Sequence, residues 1–180
     1  AEIYGLEPDL VTFGKAIGMG LPLSAICGRD EIMSGLEWGN VMHFGTMNAS
    51  RLPCSAALAG LRVMAANNHE GFKAIRTVGQ ELTAGLETLF KTQNQHAVIC
   101  QSSGPLFQIF FTDRPAIEDF RDYCRHVDSA KYNRFANLLR DEGIYVTPTN
   151  TLHSASSTVH TSDDVETTLK AVSATLERLQ

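Results

Sequence analysis

Short apolar runs near the start of the chain give way to long stretches with an apolar residue every three or four positions. Leu10 to Phe13 is a β-type run ending at Gly14, and a second apolar run covers Leu23 to Cys27. Gly18, Gly20 and Pro22 mark the loop between them, since glycine turns tightly and proline stiffens the exit. Arg29 to Met33 reads as a short helix with Asp30 as its N-cap. Gly35 to Asn40 reads as a loop in which Trp38 is a packing residue. A helix is then predicted from about Leu52 to Ala66, its Ser55–Leu61 portion rich in small residues that suit a close helix crossing. Asn67-Asn68 breaks it. A second helix is expected from about Gly71 to Thr92, with Phe72, Ile75, Val78, Leu82, Leu86 and Leu89 as core positions.

The period then changes. Ala97–Cys100 is a short strand, Ser102-Ser103-Gly104 a turn, and Pro105–Thr112 a longer strand. Phe107, Ile109 and Phe111 share one face of that strand and Leu106, Gln108 and Phe110 the other, as in an interior strand covered twice. Two helices follow, roughly Ala116–Val127 and Ser129–Asp141. The second carries Tyr132, Phe135, Leu138 and Leu139 as its buried stripe and Gly143 as its C′ cap. Ile144–Val146 is expected to be a strand. Thr151 to Thr161, rich in serine and threonine, reads either as a disordered loop or as a strand entering an active site. Thr161 and Asp164 have capping-box spacing, and Val165, Leu169, Val172, Leu176 and Leu179 form the stripe of a last helix. The sum is an α/β chain.

A 43% hydrophobic and 19% charged composition is that of a soluble globular chain, and 180 residues make one domain or one and a half small ones. A net charge of −5 leaves no polybasic surface for nucleic acid or an anionic membrane. The apolar runs fall short of a bilayer span, and the polar, acidic opening AEIYGLEPD shows no secretory signal. Cys27, Cys54, Cys100 and Cys124 lie far apart without CxxC pairing. They read as free, mostly buried thiols of a cytoplasmic protein, with no metal site.

Chemistry concentrates at Lys15. A lysine at a tight turn between apolar runs is expected to be partly desolvated, which frees its amine to attack a carbonyl, as a Schiff-base lysine does. The segment PDLVTFGKAIGMGLPLSAICG, through Pro8, Gly14, Lys15, Gly18, Gly20, Pro22, Ala25 and Gly28, resembles the cofactor-lysine segment of class III (ω-type) aminotransferases. These are fold type I pyridoxal-phosphate (PLP) enzymes, and the resemblance is nearest to the branch around glutamate-1-semialdehyde aminomutase.

That resemblance implies a PLP-dependent transamination. Lys15 would hold the cofactor and then move a proton between substrate and cofactor. The Gly45-Thr46 pair falls where the family meets the cofactor phosphate of the neighbouring subunit, which implies a homodimer with shared active sites. The family continues with Gly-Asn-Pro where this chain has Ala49-Ser50-Arg51, so the turn must be made differently, with Pro53 expected to stiffen it. Residues 1–61 would complete the large PLP-binding domain and 62–180 form the small C-terminal α/β domain. With Ala1 first and the motif so near the start, the chain reads as the C-terminal part of a longer enzyme, inactive alone. The substrates implied are a small-molecule amino donor and a carbonyl acceptor. The pattern Ser157-x-x-His160-Thr161 resembles the family's C-terminal signature, where His160 has a structural role. The aminomutase pattern carries a glutamate where this chain has Leu152, which favours an aminotransferase over a strict mutase. A non-catalytic module of the same fold is the rival from another class.

Overall fold

The computed structural model describes residues 4–37, 39–93 and 98–179, in two compact units, residues 1–69 and 70–180. Trp38 and Ala97 lie outside the described residues.

In residues 1–69, β1 (Leu10–Phe13) pairs antiparallel with β2 (Ala25–Gly28), in the register Leu10 to Gly28 and Phe13 to Ala25. Gly28 is required there: a Cβ on it would lie 2.5 Å from Leu10 Cδ2 and 2.7 Å from the Asp9 carbonyl oxygen. Helix α1 (Asp30–Glu37) follows. The Arg29 carbonyl accepts the first helical bonds, from the N–H groups of Ile32 and Met33 at 3.0 Å each. Asp30 is therefore the first helical residue and not the N-cap, and with Glu31 it places negative charge at the positive end of the helix. The helix also runs through Gly35 to Glu37, where a loop was expected. Helix α2 (Arg51–Thr92) breaks where expected: Ala66 is extended, and Asn67, Asn68 and His69 all take positive φ. Asparagine tolerates that conformation better than most residues. Pro53 lies in the first turn of α2, where its missing N–H has no partner to lose.

In residues 70–180 the part of α2 after the break packs with a three-stranded antiparallel sheet. Its order is β3 (Val98–Ser103), β4 (Leu106–Phe111) and β5 (Ser154–Ala155). As expected, β4 is interior and covered twice, with Phe107, Ile109 and Phe111 buried on one face and Phe110 on the other. Around it lie α3 (Phe120–His126), α4 (Ser129–Asp141) and α5 (Ser162–Arg178). Leu86, Phe90, Phe111, Phe135, Leu139, Val172 and Leu176 form the centre of the core. Full burial of each such side chain is worth about 1.5–3 kcal/mol. Tyr132 joins them and donates its phenol O–H to the Thr147 carbonyl at 2.9 Å. Burial pushes that phenol above its usual pKa, so it stays a neutral donor. The capping box at Thr161 and Asp164 is formed in full, and Gly143, at φ +86°, closes α4.

Several expectations need correction. Phe72 is exposed, and Phe90 is buried in its stead, because the contact stripe of α2 runs through Gly79, Thr83, Leu86 and Phe90. Helix α3 starts at Phe120 and not near Ala116, since the Asp119 side chain accepts the Asp122 N–H and sets the start. Ile144–Val146 is not a strand. Ile144 and Val146 pack on the core and Tyr145 faces solvent, but no strand edge pairs with them. Of the thiols, Cys27 and Cys124 are exposed and Cys54 is half-buried, not mostly buried as read from the sequence; all three are free. The Cys100 side chain lies outside the described residues.

Candidate active site

Lys15 stands at the turn that joins β1 to β2. Gly14 is extended, and Lys15 turns the chain with φ +57° and opens a short 3-10 helix, Lys15–Gly18. A lysine in the left-handed region costs roughly 1–2 kcal/mol, and such strain is held only where the surroundings impose it. The Met19 N–H donates to the Ala16 carbonyl at 3.0 Å, and Leu21 N–H to the Gly18 carbonyl at 2.9 Å. Met19 and Gly20 both take positive φ. Gly18 is buried against Leu23, and the Met19 side chain lies over Gly60 of α2, where a Cβ would fall 2.4 Å from its Cε.

Within these 180 residues Lys15 is exposed, so this part of the chain does not by itself supply the partial desolvation expected of the lysine. Phe13 and Ile26, from the apolar runs on either side, are exposed as well. Among the described residues no hydrogen bond or ion pair engages its ammonium, which leaves the amine sterically open.

Gly45 and Thr46 lie in the loop that leads into α2. Asn48 N–H donates to the Gly45 carbonyl at 2.9 Å, then Ser50 N–H to the Met47 carbonyl at 3.1 Å, so two successive turns deliver the chain to the helix. Ala49 makes the bend with φ +54°, in the left-handed region that glycine enters at less cost. Both Gly45 and Thr46 are exposed, and the Thr46 hydroxyl has no hydrogen bond among the described residues. The turns thus leave one hydroxyl and nearby backbone N–H groups accessible, a donor set suited to an anion. No hydrogen bond joins Lys15 to this loop among the described residues.

His160 belongs to residues 70–180. Its Nδ1 accepts the Ser157 N–H at 3.0 Å and lies 3.0 Å from the Ser157 hydroxyl, so the ring closes its own turn. It borders a cavity of about 260 Å³ that Leu82, Phe107 and Val146 also line. Sequence reasoning missed Asn150, which is 1% exposed. Its Oδ1 accepts from Tyr123 Oη at 2.6 Å and from Ser129 Oγ at 3.3 Å, and its carbonyl accepts from Gln108 Nε2. Nothing local marks that asparagine, because its partners come from distant elements. Among the described residues, no group of three or more His, Cys, Asp or Glu side chains could hold a metal, and no helix is long and apolar enough to cross a membrane.

The architecture is the mixed α/β fold of part of a fold type I PLP-dependent transaminase. Residues 1–176 match the class-III aminotransferase family, and the chain belongs to it. It is 38% identical over 174 residues to a glutamate-1-semialdehyde 2,1-aminomutase of Thermus thermophilus, covering 95% of this chain and 40% of the relative. An aminomutase of the same description from Clostridium kluyveri is 30% identical over 172 residues, with 95% and 40% covered. An omega-transaminase from Sphaerobacter thermophilus superposes with a TM-score of 0.84 at 30% identity, over 99% of this chain and 40% of that one. A β-phenylalanine aminotransferase from Variovorax paradoxus does so with a TM-score of 0.85 at 25% identity, over 98% and 40%. The chain spans about 40% of the length of the curated relatives it matches.

Proposed function

We propose that the whole protein is a PLP-dependent aminotransferase that moves an amino group between an amino acid or amine and a carbonyl acceptor. The observation that carries this reading is Lys15, held with positive φ at a glycine-lined turn with its ammonium unpaired among the described residues. The residues present fit the cofactor. An open amine suits covalent attachment of an aldehyde, and the donors at Gly45 and Thr46 suit its phosphate. When bound, the cofactor ring supplies an electron sink next to the reacting carbon. Lys15 Nζ would hold the cofactor, and the same amine would serve as the general base and acid that moves the proton. The Thr46 hydroxyl and the Gly45 and Thr46 N–H groups grip the phosphate across the interface of a homodimer. In this reading residues 1–61 complete the large cofactor-binding domain, 62–180 form the small domain, and the enzyme is cytoplasmic.

Borohydride reduction of the PLP-loaded full chain followed by peptide mapping tests the reading. A pyridoxyl tag on Lys15, lost in Lys15→Ala, is the expected result, and a tag elsewhere or nowhere overturns it. The second reading is a glutamate-1-semialdehyde 2,1-aminomutase, favoured by the activity named for the curated relatives. Leu152, exposed at the place of the aminomutase glutamate, speaks for the aminotransferase. Isomerisation of glutamate 1-semialdehyde without a separate amino donor or acceptor would decide for the mutase.

A further inference from the structure

The Gly45–Asn48 turn contains a polar side chain that the reading above leaves without a task. Asn48 folds back over the turn it closes. A Cβ placed on Gly45 would lie 2.5 Å from Asn48 Oδ1, 2.9 Å from its Cγ and 3.3 Å from its Nδ2. The space that glycine keeps open at position 45 is thus taken by the carboxamide of Asn48, two residues on from Thr46. Among the described residues no hydrogen bond engages that carboxamide, and Asn48 is exposed. Phe44 to Ser50 carries no carboxylate, and the next residue, Arg51, is a cation. A carboxamide offers two N–H donors, and hydrogen bonds to an ionised acceptor are among the strongest available.

We propose that Asn48 is a further phosphate-holding residue. Its Nδ2 donates to a phosphate oxygen of the cofactor, beside the Thr46 hydroxyl and the backbone N–H groups. This rests on the phosphate role given to Gly45 and Thr46. It also supplies a reason for glycine at position 45, since any side chain there would displace the amide from the turn.

The test compares affinity for PLP with affinity for pyridoxal, which lacks the phosphate, using the full chain and following cofactor binding by absorbance. Asn48→Ala should weaken PLP roughly tenfold to a hundredfold, the loss of one hydrogen bond to a charged group, and leave pyridoxal unchanged. Asn48→Asp keeps a side chain of similar shape but sets a carboxylate against the phosphate, so it should weaken PLP further and again spare pyridoxal. Thr46→Ala is measured alongside. If Thr46→Ala lowers the PLP-to-pyridoxal ratio and both Asn48 variants leave it intact, the role of Asn48 is overturned and the reading of the loop stands. If Thr46→Ala also leaves the ratio intact, the loop reading falls and Asn48 with it.

Discussion

Within this chain, which spans about 40% of its curated relatives, a core of large apolar side chains forms in residues 70–180 and not in residues 1–69. In the former, Phe90, Phe135, Leu139 and Leu176 are all almost wholly shielded around β4. In the latter, Ala57 is the one buried hydrophobic of the core among the described residues, while Phe13, Met42, Phe44 and Leu52 are exposed. Lys15, Gly45 and Thr46, the candidate site residues, all belong to the uncovered unit. Within this chain that unit is held by local devices: a two-strand ladder, glycine contacts and successive turns. The other unit is held by a core, the dominant favourable term in folding.

The largest expected difference comes from truncating one phenylalanine in each unit of the 180-residue chain. Phe135→Ala, at 0% exposed, should lose about 3–5 kcal/mol. Phe44→Ala, at 85% exposed, should stay within about 0.5 kcal/mol. Equal losses in urea denaturation would break the contrast.

A glycine in each unit sharpens it. A Cβ on Gly79 would meet backbone, the Gly104 carbonyl oxygen at 2.7 Å and Pro105 Cα at 2.9 Å. Gly79→Ala should therefore cost about 1–3 kcal/mol. The nearest atoms that a Cβ on Gly60 would meet all belong to the flexible Met19 side chain, so Gly60→Ala should cost less, under about 1 kcal/mol. Thermal unfolding that ranks the two the other way would show that the lysine turn is the stiffer packing.

Smaller again is the cap of α5. Thr161→Ala removes the side chain that accepts the Asp164 N–H and should cost about 1 kcal/mol by the same measurement.

The smallest effect is on acid sensitivity. Hydrogen bonds from the Thr161 N–H and hydroxyl hold the Asp164 carboxyl below its usual pKa, and the hydrogen bond and charge of Lys170 do the same for Glu166. A carboxylate with a lowered folded-state pKa adds stability above its ordinary range, near about pH 4, and loses it as pH falls through the lowered value. Asp164→Asn should flatten the acid limb of stability against pH and leave the neutral region's slope unchanged. An acid limb identical to that of the wild type would remove Asp164 from the account.

Much of this was legible in the residues because it depends on near neighbours. The lysine turn, the break at Asn67-Asn68, the twice-covered β4, the cap at Gly143 and the Thr161 box each follow from a few adjacent positions. What failed needed distant partners. Phe72 and Phe90 both sit on an apolar stripe of α2, and only the elements packed against that helix choose which is covered. Ile144–Val146 has the residue types of a strand but finds no free edge to pair with. Lys15 lies between apolar runs, yet Phe13 and Ile26 of those runs are themselves exposed in this chain, so apolar neighbours in sequence do not bury it.

Local chemistry along the chain was enough to specify the hairpin with its lysine, the helix stripes and the caps, because propensity and hydrogen-bond spacing act over a few residues. Three-dimensional packing alone settled which stripe residues are buried, why Gly79 has no room for a methyl group, and how Asn150 ties together Tyr123, Ser129 and Gln108. Those outcomes depend on groups 21 to 42 residues apart in sequence for Asn150, and no local pattern encodes such a meeting.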